Sequence, residues 1–166
     1  MKIAHISDIH VRNYKYHHEY KEVFQQLFDK LKELKPDIIV NTGDTAHTKS
    51  ILSPEYFNLT SWLFTGLAEI APLHMILGNH DCNVKNSSRL DAITPITEAL
   101  EDPNIHFHKH TKEVDLGENI VLNVLSILDQ DKWSPPSNPN KTNLALYHGA
   151  VAGAKTDTGW IMEHGE

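Results

Sequence analysis

The chain has 166 residues, with 22 acidic side chains against 15 basic ones and a net charge of -7. That length holds one core rather than two ordinary domains, and no basic block argues on charge alone for nucleic-acid binding. The single cysteine, Cys82, excludes an intrachain disulfide, and neither a signal peptide nor a membrane-length apolar run can be read, so a soluble, cytoplasmic protein is expected.

In chain order, residues 2–7 read as a short buried strand and 8–13 as a loop. Over 18–34, Tyr20, Val23, Phe24, Leu27, Phe28, Leu31 and Leu34 recur at helical spacing, and Lys35-Pro36 ends the helix. Residues 37–41 form the next strand, and Thr42-Gly43-Asp44 turns out of it. Ser53 caps a second helix with Pro54 in its first turn, and Pro72 precedes an apolar strand ending at Leu77. This alternation predicts parallel strands with crossover helices, an α/β layered fold. A third helix is expected over 89–100. Residues 105–107, 113–116, 120–127 and 143–147 then read as strands joined by Gly, Asn and Pro turns.

Asp8, Asp44, Asn79 and His148 each follow the C-terminal end of an apolar strand. In an α/β sheet those ends share one edge, where ligands bind, so four groups distant in sequence are expected to converge. Asp8-Ile9-His10 alone fits a cap or turn better than an ion site, and Gly43-Asp44, an ordinary turn pair, is weaker still. Asn79-His80-Asp81 after Gly78 is more telling, because mixed Asp, His and Asn donors suit first-row divalent ions. Twelve histidines in one chain point the same way. An acidic protein can hold a phosphodiester if bound metal ions reverse the local charge.

The motifs "SDIHVRN", "NTGDTAHTKS", "ILGNHDCNVKNSSRLDA" and "ALYHGAVAG" resemble those of the calcineurin-like metallophosphoesterases. Within them the chain is similar to the SbcD-type DNA repair nucleases and bacteriophage recombination endonuclease subunits. The resemblance implies one catalytic domain over 1–166, with parallel and mixed sheets flanked by helices. It implies two divalent metal ions, Mn2+ first, with Fe, Zn or Mg as alternatives. Asp8 and His10 would hold one ion, Asn79 and His148 the other, and Asp44 would bridge them. The nucleophile would be a water acidified by the metals. His80 would face the scissile phosphate, Asp81 would hold the far ring nitrogen of His80, and His47 would lie near the substrate. DNA, an SMC-like ATPase of the SbcC type and a homodimeric assembly are the implied partners. Alternatives are a small-molecule phosphodiesterase acting on cyclic nucleotides, and a non-catalytic assembly module. The family pattern closes with Gly-His-x-His after a further strand. No such pair follows His148, and His164 lies too soon after it, so a C-terminally truncated domain is the expectation.

Other residues have plainer readings. His106, His108 and His110 are expected on the solvent face of an edge strand, with zinc binding as the sharper alternative. His5 is expected to be a satisfied core histidine, and Cys82 a small buried residue. Trp62, off the apolar face of its helix, is left as a partner contact or an ordinary exposed aromatic. Lys49, Lys85 and Arg89 flank the motif loops as phosphate contacts or solvated charges.

Overall fold

A computed structural model describes residues 1–164. Its elements run β1 (Ile3–Ile6), α1 (His17–Leu34), β2 (Ile38–Asn41), α2 (Pro54–Ala68), β3 (Leu73–Met75), α3 (Thr94–Leu100), β4 (Ile105–Phe107), β5 (Lys112–Gly117), β6 (Ile120–Leu125) and β7 (Thr142–Tyr147). The first four strands form a wholly parallel sheet in the order β1-β2-β3-β4. The second sheet is mixed: β5 runs antiparallel to β6, and β6 parallel to β7. This is the expected α/β architecture of parallel and mixed sheets flanked by helices. No helix among the described residues is long and apolar enough to cross a membrane.

Alternation along the strands builds two apolar layers. Ile39, Leu73 and Met75 face the helices, meeting Phe24, Phe28, Leu31, Leu63, Phe64 and Leu67. Ile38, Val40 and Ile76 face the other way, onto Leu122, Val124 and Leu146 of the second sheet. Each fully buried large side chain contributes about 1.5–3 kcal/mol. Trp62 completes the helix layer, its ring 5.2 Å from Phe28 and 6.2 Å from Phe24. It is therefore a contact between α1 and α2, reached across a helix face that spacing alone left polar.

The helix expected over 89–100 begins only at Thr94. Asp91 stops it from starting earlier. Its buried carboxylate accepts from the Ile93 and Thr94 N–H groups, serving as an anchor ahead of the first turn, where Pro95 also belongs. His5 is exposed on edge strand β1, bonding Thr42 Oγ1 at 2.9 Å, and is not a core residue.

The expected row of solvent-facing histidines is also broken. His106 and His110 are exposed, but His108 lies past the end of β4 and is buried. Its Nε2 sits 2.9 Å from Nδ1 of His74, which is buried on β3. Burial, with neighbouring His106 and Lys112, pushes His74 down to about 4. Burial, with Lys112 and the other two imidazoles, pushes His108 down to about 3. Unfolded histidines take up protons below about pH 6.5 while these do not. Their stability contribution is therefore complete above pH 6.5 and lost as pH falls toward 4. We expect thermal stability to drop on that acid limb by up to about 1.4 kcal/mol per histidine per pH unit. Melting curves between pH 7 and 4.5 check this, and His108→Gln should flatten the slope.

Candidate metal centre

The site forms where loops leave the C-terminal ends of β1, β2, β3 and β7. Past β1 and β2 the backbones stay paired: Asp8 N donates to Gly43 O, His10 N to Asp44 O and Val11 N to Thr45 O, at 2.8–3.0 Å. Asp8, His10 and Asp44 all take the left-handed region, with φ of 54°, 51° and 53°. Non-glycine residues there are strained, and three together on facing loops mark a geometry imposed by use rather than by propensity.

Two glycines permit the β2 and β3 loops to touch. Gly43 has φ +99°, and a Cβ on it would lie 2.4 Å from Gly78 N. A Cβ on Gly78 would lie 2.1 Å from Asp44 Oδ1 and 2.3 Å from Asp44 N. Gly78 itself does not take a positive φ. Its task is therefore close approach to Asp44 rather than the sharp turn its place before Asn79 suggests.

Asp44 is the hub. Its carboxylate is 4% exposed and accepts one backbone bond, from His80 N to Oδ1 at 2.8 Å. His10 Nε2 lies 3.5 Å from Oδ2, and His148 Nε2 lies 3.4 Å from Oδ1. Among the described residues no lysine or arginine pairs with it. Separations of 3.4–3.5 Å are long for hydrogen bonds. They match the donor spacing across an ion with bonds of roughly 2.1 Å at a near-tetrahedral angle. The donor set thus fits a divalent cation, and twice over. His10, Asp44 and His80 form one triplet and Asp8, Asp44 and His148 another, with all ligand atoms of a triplet within 4.8 Å of one another.

Second contacts orient the imidazoles. His148 Nδ1 donates to Thr42 O at 2.8 Å, and His80 Nδ1 donates to His47 O at 2.9 Å. A carbonyl only accepts, so each Nδ1 carries the proton and each Nε2 is turned to the site. Asn79 Oδ1 lies 3.2 Å from His148 Nε2, on the His148 side of the centre. His47 sits beside His10 and His80, with ring centroids 5.8 Å and 6.1 Å away. Desolvation, then Arg12, His10 and His80, hold its pKa below the ordinary histidine value.

All eight sequence-derived residues lie at this edge except for the carboxylate of Asp81, which points away. Asp81 does not hold the His80 ring. Fully buried, it accepts from Ala46 N at 2.7 Å and Gly78 N at 2.9 Å, tying the β2 loop to the β3 loop. Burial, with repulsion from Asp44, raises its pKa to about 6 despite those bonds. The His47 carbonyl takes the position expected of it because the β2 loop folds back over the His80 ring.

Sequence reading missed Asn41. Its buried side chain accepts from Gly43 N at 3.0 Å and donates to Thr45 Oγ1 at 3.1 Å, shaping the turn that presents Asp44. An asparagine closing a buried strand two residues before a glycine was the available signal. Tyr20 was missed too: its hydroxyl donates to His10 O at 2.8 Å and fixes the first loop from α1. Lys49 is not a free cation, since its Nζ donates to Asn79 O at 2.7 Å. Cys82 is buried, and burial pushes its thiol up to about 12.

The profile of the calcineurin-like phosphoesterases matches residues 1–161. An uncharacterized protein of Acanthamoeba polyphaga mimivirus is 42% identical over 176 aligned positions, covering 98% of this chain. The chain spans 13% of the length of that curated relative.

Proposed function

We propose that this chain, which belongs to the calcineurin-like phosphoesterase family, hydrolyses the phosphodiester bonds of DNA, as the SbcD-type nucleases it resembles do. The observation that carries the reading is the buried Asp44 carboxylate shared by two donor triplets. Two divalent cations held there, Mn2+ first, would supply Lewis-acid charge and an acidified water for in-line displacement. Asp8, His10, Asp44, Asn79 and His148 are the residues that would hold them.

The surroundings favour a chain-like substrate. Cavities of about 470 and 270 Å³ lie to either side of Asn79, one toward Tyr147 and Met162, the other toward His47, Lys49 and Ser50. A strand can lie along both with one phosphate over the centre, whereas a mononucleotide needs only one. The net charge of -7 repels a polyanion, so the bound cations carry the electrostatic attraction. His80 is placed to act on the reacting phosphate. Its Nδ1–H bond to the His47 carbonyl fixes the ring with Nε2 turned to the site, where it would act on the leaving oxygen. His47 lies beyond it as a substrate contact, and Asp81 acts only by positioning the loops. On the same reading the assembly is a homodimer working with an SMC-like ATPase in the cytoplasm.

Linear duplex DNA, single-stranded DNA and a cyclic nucleotide offered to the protein with Mn2+ test this. DNA cleavage is expected, and hydrolysis of the cyclic nucleotide alone would overturn it. We further expect His80→Asn to lower turnover about 10²–10³-fold with Mn2+ affinity little changed. Calorimetric Mn2+ titration beside the assay decides this, since a collapse of affinity would make His80 a ligand, as the first triplet permits.

A further inference from the structure

A third cavity, of about 410 Å³, shares Asn79 and His148 with the metal centre. Its lining differs in chemistry from that of its neighbours. Val84, Ile127, Tyr147 and Ala150 give it an apolar and aromatic wall, and Gln130 and His164 add two polar tips. Among the described residues no lysine, arginine, aspartate or glutamate lines it. The 270 Å³ cavity, by contrast, carries Thr48, Lys49 and Ser50.

The segment after β7 builds much of this wall. Tyr147 closes the strand, one residue before His148. Its ring stands edge-on to Trp133 at 5.4 Å, and its hydroxyl donates to Ala150 O at 3.3 Å. The chain then turns through a hairpin, in which Gly153 N donates to Met162 O and Met162 N to Ala154 O, both at 2.9 Å. That hairpin returns His164 to the cavity beside His148. From the loop after β3 comes Val84, 43% exposed and part of neither apolar layer.

We propose that this cavity binds a nucleobase, that of a nucleotide next to the scissile phosphate. An uncharged apolar wall offers nothing to a phosphate or a metal ion. It suits a flat, weakly polar group, and of the three parts of a nucleotide only the base is one. The volume falls within the roughly 300–1,000 Å³ of small-ligand sites, which bury an apolar body and orient it with a few polar groups. Gln130 and His164 are those groups here, able to meet the donors and acceptors of a base edge. Asn79 and His148 line both the cavity and the centre, so a base held here belongs to a nucleotide whose phosphate reaches the metals. A base enters only when unstacked, so unpaired ends and single strands should be cleaved in preference to the interior of a duplex. The base site rests on the phosphodiester chemistry read at the Asp44 centre, and it adds a substrate preference to that chemistry.

Two esters with one leaving group isolate the base: thymidine 5′-p-nitrophenyl phosphate and methyl p-nitrophenyl phosphate, each with Mn2+. The thymidine ester should show a kcat/KM about 10–100-fold higher. Val84→Gln should cut that preference about 5-fold, and His164→Ala should cut it as well. Both side chains are exposed and neither would hold a metal, so hydrolysis of the methyl ester should stay unchanged. A merely structural role would slow both esters alike. Calorimetric titration with thymidine 5′-monophosphate against methyl phosphate, in Mn2+, should show the same preference without turnover. Equal affinities and equal kcat/KM would overturn the base site, and so would an unchanged preference in both variants. A single-stranded oligonucleotide with one abasic nucleotide separates the base site from the DNA reading. Slower cleavage beside the abasic position is expected. DNA cleavage at equal rates there and beside intact bases would overturn the base site and keep the DNA reading. A preference for the thymidine ester with no cleavage of any DNA would keep the base site and overturn the DNA reading.

Discussion

Asp44→Asn should move stability and function in opposite directions. Asp44 is a buried carboxylate whose imidazole neighbours stand 3.4–3.5 Å off and whose one close bond comes from a backbone N–H. Without a cation the buried carboxylate faces only two imidazoles and a backbone N–H, and a buried carboxylate with no firm cationic partner is destabilising. The isosteric amide removes the charge and keeps an oxygen to accept from His80 N. In EDTA the variant should therefore melt no lower than the wild type, and by this reasoning higher. With Mn2+ the order should reverse, because both triplets lose their shared ligand. Mn2+ affinity should fall at least about 100-fold, and kcat/KM on a phosphodiester by about 10³, a loss of roughly 4 kcal/mol of transition-state stabilisation. Melting curves with and without Mn2+, beside hydrolysis of bis-p-nitrophenyl phosphate, read both effects. A variant that is destabilised in EDTA would make Asp44 a structural anchor instead of the hub of a cation site.

Which groups meet at this edge was legible because strand ends carry their own punctuation. Asp8, Asp44, Asn79 and His148 each follow an apolar run, and parallel topology forces such ends together. The partners of those groups were not legible. Asp81 sits next to His80 in the chain, so adjacency suggested a hydrogen bond to its ring. The bond went elsewhere because the β3 loop packs on the β2 loop, and the free N–H groups of Ala46 and Gly78 compete for the carboxylate. The Gly78 bond is local, but the Ala46 bond joins residues 35 apart, which no local pattern encodes. His108 failed for a similar reason. Period-two alternation placed it with His106 and His110 on a solvent face, but β4 ends at Phe107 and register with β3 brings His74 beneath it. Helix boundaries show the local version of the problem. Spacing over 89–100 fits a helix, yet Asp91 spends its carboxylate on the N–H groups of Ile93 and Thr94, so the turn begins later.

The same loop contact makes Gly78 the residue least tolerant of change. In Gly78→Ala the added methyl would lie 2.1 Å from Asp44 Oδ1, 2.3 Å from Asp44 N and 2.8 Å from Asp44 Cγ. None of these atoms can yield cheaply. Asp44 is already in the left-handed region, its carbonyl accepts from His10 N, and its Oδ1 accepts from His80 N. The backbone of the β3 loop must retreat instead, stretching the bonds that cross between the loops, from Ala46 N to Asp81 and from His80 N to Asp44, and moving Asn79 and His80 with it. Overpacking of this kind costs about 3 kcal/mol, or roughly 6–12 °C in melting temperature for a chain of this size. Activity should suffer more than stability does, because a shift of about 1 Å at a reacting centre can cost about 100-fold. Gly78→Ala should accordingly lose Mn2+-dependent hydrolysis even at temperatures where it is fully folded. Circular dichroism melts and the phosphodiester assay run at 20 °C separate the two effects. Gly66→Ala is a useful contrast, since its methyl would meet only the tip of the Phe28 ring, far from the site. That variant should lose stability through crowding between α1 and α2 and keep its specific activity when folded. If Gly78→Ala behaved like Gly66→Ala, the contact between the β2 and β3 loops would not be what aims Asn79 and His80 at the metals.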